Sequence, residues 1–130
     1  MKLSHVSIRC ADLNKSLEYY TKFFYTAVAH TFEDINKNPY GYFLRLPKGG
    51  LIELFQSDQE MSSACKNPLN HYCIEVDSID ELLGKMERES IYKHKFRGRT
   101  DNILQAAILD PDGVIIELHE LDECSKFQAY

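Results

Sequence analysis

Two histidines and two glutamates recur in this chain at paired positions, His5 with His71 and Glu53 with Glu117. Imidazole nitrogen and carboxylate oxygen are both accepted by divalent transition metals. Two of each make an N2O2 donor set that leaves positions open on an octahedral ion. Glu117 also sits inside the apolar run "VIIELHE", where an unpaired buried carboxylate would cost on the order of several kcal/mol. A cation beside it removes that cost and explains the acid. Taken singly, each of the four reads as an ordinary solvated or hydrogen-bonded residue. Their recurrence in pairs carries the metal reading.

The pairs arise from a repeat. "HVSIRCADLNKSL" (5–17) matches "HYCIEVDSIDELL" (71–83) at an offset of 66, and "LPKGGLIEL" (46–54) matches "DPDGVIIEL" (110–118) at an offset of 64. Such a repeat implies two copies of one supersecondary unit sharing a core, here spanning about 1–60 and 68–121. In the first half, Asp12 or Asn14 can cap a helix whose apolar residues Leu13, Leu17, Tyr20 and Phe24 recur at helical spacing. In the second, Ser78 followed by Glu81 is a capping-box pattern, with Ile79, Leu82, Leu83 and Met86 as the apolar stripe of a helix expected to run to about Ser90. Strand-like runs follow each helix: "AVAHTFE", "YGYFLRLP" and "LIELFQ", then "YKHKFR", "LQAAILD" and "VIIELHE". The reading is an α+β fold of two tandem βαβββ modules, forming a cupped mixed sheet with helices on its outer face. The polar stretch 58–68 is the expected connector.

Extended chain alternates its side chains. His5 therefore shares a face with Ser7 and Arg9, while Val6, Ile8 and Cys10 point the other way. Glu53 likewise opposes Ile52 and Leu54, and Glu117 opposes Ile116 and Leu118. All four donor residues are expected on the concave, polar face.

Composition limits the partners. With 130 residues, 44% hydrophobic and 27% charged, the chain fits one globular domain. A net charge of -5 provides no electrostatic footprint for nucleic acid. No apolar run approaches the length of a membrane span, and a cytoplasmic protein acting on a small molecule is expected. Cys10, Cys65, Cys73 and Cys124 show no CxxC spacing, so no disulfide framework is expected. Cys10 and Cys73 are read as small apolar strand residues. His30, His94 and His119 have no matching partners in the repeat and are read as solvated or structural.

These segments resemble the vicinal oxygen chelate superfamily, the glyoxalase, bleomycin-resistance and extradiol-dioxygenase group, over essentially residues 1–121. Within it the chain is most similar to the short glyoxalase I enzymes, the lactoylglutathione lyases, through "LSHVSIRCADLNKSLEYYTKFF", "LIELFQ", "NHYCIEV" and "DPDGVIIEL". The resemblance implies His5, Glu53, His71 and Glu117 as ligands of Ni or Co, with Zn second. It also implies a homodimer in which the first-half ligands of one chain face the second-half ligands of the other. Methylmalonyl-CoA epimerases usually carry Gln at position 53, and dioxygenases and fosfomycin-modifying thiol transferases use two His and one Glu. Bleomycin-binding members typically lack the ligands, so Glu53 favours the glyoxalase type.

The implied substrate is the hemithioacetal of an α-oxoaldehyde such as methylglyoxal with a thiol. Its vicinal oxygens suit a Lewis acid, and a carboxylate must carry a proton between adjacent carbons. Glu117 is the first choice for that base, with Glu53 across the site. Arg9 matches an arginine that contacts a glutathione carboxylate in the resembled enzymes, and Arg99 precedes the penultimate strand. Arginine suits bidentate carboxylate recognition. Ser57 stands where Asn is frequent in the family. Another thiol, or another vicinal-oxygen substrate, would keep the metal site and change only this rim.

Overall fold

Alternating burial defines the first strand, β1 (His5–Cys10): Ile8 and Cys10 are buried while His5, Ser7 and Arg9 are exposed. The computed structural model describes residues 3–57 and 69–126, and the connector expected at 58–68, with Cys65 in it, lies outside them. Two compact units result, Met1–Lys66 and Asn67–Tyr130. The first runs β1, α1 (Leu13–Phe24), β2 (Ala27–Glu33), β3 (Pro39–Arg45), β4 (Leu51–Gln56). The second runs β5 (Tyr72–Glu75), α2 (Ile79–Leu83), β6 (Ile91–Arg97), β7 (Leu104–Leu109), β8 (Ile115–Glu120). Both are βαβββ modules, as expected from the repeat.

Each unit holds a four-stranded mixed sheet, ordered β1-β4-β3-β2 in the first and β5-β8-β7-β6 in the second. β1 runs parallel to β4 and β5 parallel to β8, and the remaining pairs are antiparallel. The strand that carries the glutamate is thus hydrogen-bonded to the strand whose N-terminal end lies at the histidine. One face of the first sheet, with Ile8, Leu44, Ile52 and Leu54, is buried together with Leu13, Tyr20 and Phe24 of α1. In the second unit Ile79, Ile103, Ala106, Ile108, Ile116 and Leu118 are buried. Each fully buried Leu or Ile stabilises its unit by roughly 1.5 to 3 kcal/mol.

The helices start as expected. Asp12 accepts from the amides of Asn14 and Lys15, both at 3.1 Å, so it is the cap and Asn14 lies inside the helix. At the other end Tyr25 adopts a left-handed backbone, φ 51°, which closes α1 after Phe24. Ser78 Oγ accepts from the Glu81 amide at 3.2 Å. The second helix is shorter than its apolar stripe suggests, however, ending at Leu83 rather than near Ser90. At Gly84 the chain switches to three-residue hydrogen bonds, Lys85 to Leu82 and Met86 to Leu83, both 3.1 Å. A separate 3₁₀ turn then covers Arg88–Ser90. Glycine is a poor helix propagator, and nothing C-terminal to it restores the α-helical ladder.

A second cap reaches each helix from far along the chain. Gln56 Oε1 accepts from the Leu13 amide at 3.0 Å and its Nε2 donates to Ala11 O at 2.8 Å. Glu120 Oε2, at the equivalent end of β8, accepts from the Ile79 amide at 2.7 Å. Both residues lie three positions beyond a paired glutamate, so the first turn of each helix is tied to the strand that presents the acid. The turns entering those strands are also equivalent. Gly49 and Gly113 take φ of 106° and 79°, a region open to glycine but strained for other residues.

Beyond β8, Arg97 grips Asp122 through two nitrogens, at 3.2 and 2.7 Å, and donates to Asn102 O at 2.7 Å. The guanidinium, helped by Ser125 and the Cys124 amide, holds the Asp122 carboxyl down to about 2. A pKa depressed in the folded state stabilises above the unfolded value and is lost as pH falls through the folded one. Urea midpoints of the wild type should therefore fall more steeply than those of Asp122→Asn between about pH 4 and pH 2. Parallel acid limbs would remove this role. Among the described residues no helix is long and apolar enough to cross a membrane.

Candidate metal centre

β1 and β4 place Ser7 opposite Glu53, and His5, two residues earlier, shares that face. His5 Nε2 lies 3.7 Å from Glu53 Oε2. In the second unit Cys73 is opposite Glu117, and His71, just before β5, brings Nε2 to 3.5 Å from Glu117 Oε2. One histidine and one glutamate of the expected set therefore come together in each unit. Both glutamates are largely covered, with side-chain exposures of 13% for Glu53 and 24% for Glu117, while the histidines are about two-fifths open.

The hydrogen bonding of His71 bears on what belongs between the pair. Its Nδ1 lies 2.7 Å from Asn70 Oδ1, and in the neutral tautomer that donates to this oxygen the Nε2 lone pair faces the Glu117 carboxylate. Two acceptors facing each other need a proton or a metal ion between them, and a histidine whose other nitrogen is held by an oxygen is the usual form of a metal ligand. Neighbouring donors on an octahedral ion with bonds near 2.1 Å are roughly 3 Å apart. Small side-chain adjustments bring either pair to that separation. The donor chemistry and the spacing in each unit fit a divalent ion.

Two side chains near Glu117 were not expected in the site. His119, read from the sequence as solvated or structural, is half-buried with its Nε2 2.6 Å from Glu117 Oε1. Glu117 therefore stands between two imidazoles, one at each carboxylate oxygen. Cys73, read as a small apolar strand residue, is exposed on the face of His71 and Glu117. Packing around its sulfur, followed by the charges of Glu117 and Glu75, pushes the thiol up to about 12. Cys10, by contrast, is fully buried as expected.

The corresponding face of the first unit is aromatic. Phe43 meets His5 edge-on at 5.3 Å, Phe32 lies 5.1 Å from both Phe43 and Phe55, and Tyr40 stacks on Phe55 at 6.0 Å. Gly41 makes room for this cluster, since a Cβ there would come within 2.5 Å of the Phe55 ring. His30 joins its edge, 4.8 Å from Phe32. The alternation of "YGYF" with "LIELFQ" could have revealed this surface, since Phe43 and Phe55 share the parity of Glu53. Its register came only with β3–β4 pairing.

The expected substrate residues lie at the periphery. Arg9 is exposed near the far end of β1, on the His5 face. Ser57 follows β4 and its amide donates to Cys10 O at 2.8 Å, extending that ladder. Arg99 is exposed in the turn between β6 and β7.

The sequence profile of the Glyoxalase/Bleomycin resistance protein/Dioxygenase superfamily matches residues 2–118. The chain belongs to this superfamily. Its fold is shared by a glyoxalase family protein from Enterococcus faecalis, at 24% identity and TM-score 0.71, covering 92% of this chain and 97% of that one. A glyoxalase I point mutant from Zea mays is similar at 19% identity and TM-score 0.75, over 94% of this chain and 45% of the maize chain. A mutant of the fosfomycin resistance protein FosX from Listeria monocytogenes, complexed with Mn(II) and 1S,2S-dihydroxypropylphosphonic acid, is similar at 21% identity and TM-score 0.66, over 94% of both chains. At these identities the likeness is one of fold. No curated protein matches the chain by sequence. Superfamily membership confirms the resemblance and the paired-module α+β fold. Members of the superfamily include enzymes and proteins that hold a divalent metal with a small molecule.

Proposed function

We propose that the protein is a metal-dependent lyase of the glyoxalase I type, converting the hemithioacetal of an α-oxoaldehyde and a thiol to a 2-hydroxyacyl thioester. The observation that carries this reading is the His–Glu pair in each unit, at 3.7 and 3.5 Å, with the His71 lone pair directed at Glu117. His5, Glu53, His71 and Glu117 would hold the ion. A divalent ion bound there supplies a Lewis acid that lowers the cost of negative charge on the substrate oxygens.

The chain's own residues do the rest. Glu117 takes the proton from the carbon bearing sulfur and oxygen and returns it to the neighbouring carbon, with Glu53 as the opposing carboxylate. His119, hydrogen-bonded to Glu117 Oε1, orients that carboxylate, and Oε2 would loosen from the ion to take the proton. The aromatic face beside His5 covers the apolar group of the oxoaldehyde and favours an aryl or alkyl substituent. Arg9 and Arg99 are the candidates for a carboxylate of the thiol, with Ser57 at the rim. The resemblance to the short glyoxalase I enzymes favours Ni or Co, then Zn. By analogy with the short glyoxalase I enzymes, we infer a homodimer whose sites combine the first unit of one chain with the second of the other. The reaction requires no oxidant.

Metal content tests this directly. Metal-free protein incubated with Ni, Co or Zn should retain one ion per site by elemental analysis, and Ni affinity should fall by more than roughly 10- to 100-fold in His5→Ala, the range typical of losing only an outer-shell partner. Protein that stays metal-free, or a His5→Ala chain with unchanged affinity, would overturn the assignment.

A further inference from the structure

The second unit carries more donor atoms than the four-residue set uses. Cys73 Sγ, a carboxylate oxygen of Glu117 and a ring nitrogen of His119 all lie within 4.8 Å of one another. Both strands of the β5–β8 pair contribute, with Cys73 directly opposite Glu117 and His119 two residues further along β8. The repeat shows that this is not a property of the module itself. At the equivalent places the first unit has Ser7 and Phe55, neither of which is a comparable donor.

We infer that Cys73, Glu117 and His119 form a second metal site, contained within this unit, for a thiophilic divalent ion of the zinc class. Bond lengths of about 2.3 Å to sulfur and 2.0 to 2.2 Å to nitrogen and oxygen put tetrahedral donors roughly 3.3 to 3.7 Å apart. Rotations of exposed Cys73 and half-buried His119 close the present spacing, and the 2.6 Å hydrogen bond between His119 and Glu117 opens as the ion enters. On binding, the Cys73 thiol releases its proton to solvent, the ion loses water in exchange for sulfur, nitrogen and oxygen, and a fourth position stays with water. Thiolate, imidazole and carboxylate together suit zinc better than manganese or magnesium.

The site does not rest on the lyase reading, because it needs neither His5 nor Glu53. It does compete with that reading for Glu117. An ion held by Cys73 and His119 takes the carboxylate that the proton transfer uses, so thiophilic metals become inhibitors of the same protein that other metals activate.

Cobalt(II) alone is the probe. Metal-free full-length protein titrated with cobalt until no more is taken up should develop sulfur-to-metal charge-transfer absorption in the near ultraviolet, which zinc then removes. Cys73→Ser should lose that absorption, and its zinc affinity should fall by more than the roughly 10- to 100-fold that an outer-shell loss costs. His5→Ala and Glu53→Ala should keep it, which separates this site from the four-residue set. As a check that needs no variant, zinc should slow alkylation of Cys73 in the wild type without slowing that of exposed Cys124, read by peptide mass spectrometry. Bound cobalt with no sulfur absorption, the same absorption in Cys73→Ser, its loss in His5→Ala, or equal alkylation with and without zinc would each overturn the inference.

Discussion

Metal-loaded protein given methylglyoxal and glutathione should form a thioester without consuming oxygen, and Glu117→Gln should lower that rate by roughly 10²- to 10⁴-fold. The substitution keeps the side-chain shape and a hydrogen-bonding oxygen for His119, but a carboxamide does not accept a proton at neutral pH. Loss of a metal ligand adds to the deficit, so metal content must be measured on the same sample. A Glu117→Gln protein that retains its ion and turns over at the wild-type rate would remove Glu117 as the base. If Glu53→Gln then carries the deficit, the roles of the two acids are exchanged. Should glutathione fail while another thiol or a 2-methylacyl thioester reacts, the proton transfer stands and the substrate falls. Oxygen uptake with a catechol would instead favour a dioxygenase, and saturable binding without turnover a sequestering protein.

Mixing two inactive proteins should restore activity. In a homodimer with shared sites, a Glu53→Ala chain paired with a Glu117→Ala chain has one doubly damaged site and one intact site. Random exchange makes half the dimers mixed, so about a quarter of the wild-type sites return from a background near zero. Subunit exchange must be shown independently, for example by native mass spectrometry of one tagged chain. Mixed dimers with no recovered turnover would mean that each chain closes its own site. Each unit holds one His–Glu pair, so the proposed four-residue set needs a pair from both units.

The repeat made most of the fold legible. Strand limits at 27–33, 51–56 and 104–109 follow from short apolar runs bounded by turn residues, and the parity of Val6, Ile8 and Cys10 correctly separated core from ligand face. The four donor residues stood out because equivalent residues in two copies reinforce one another, whereas the His–Glu contact within each unit came only with strand register. Lone features did not stand out. Gly84 shortened α2 because an apolar stripe continues through a glycine while the helix ladder does not. His119 was set aside for lacking a partner in the repeat, although it lies two residues from Glu117 and so shares its face. Cys73 has the parity of His71, yet its position across from Glu117 depends on β5–β8 register, which joins residues more than forty apart and leaves no local mark. The aromatic surface around Phe43 and Phe55 was hidden for the same reason.

The caps from Gln56 and Glu120 bear on how the molecule folds. The amides at Leu13 and Ile79 receive their acceptors from residues 43 and 41 positions away, so neither helix start is complete until the last strand of its unit has docked. Such contacts have high sequence separation, and their loop-closure entropy must be overcome before they stabilise anything. A five-residue helix such as α2 is too short to persist alone in water, and Glu120 is therefore a condition of its existence. Helix and glutamate-bearing strand form one cooperative unit that opens and closes together. A nascent chain accordingly has no half-built donor pair on a preformed scaffold: until β4 or β8 arrives, that unit has neither its finished helix nor its acid in place.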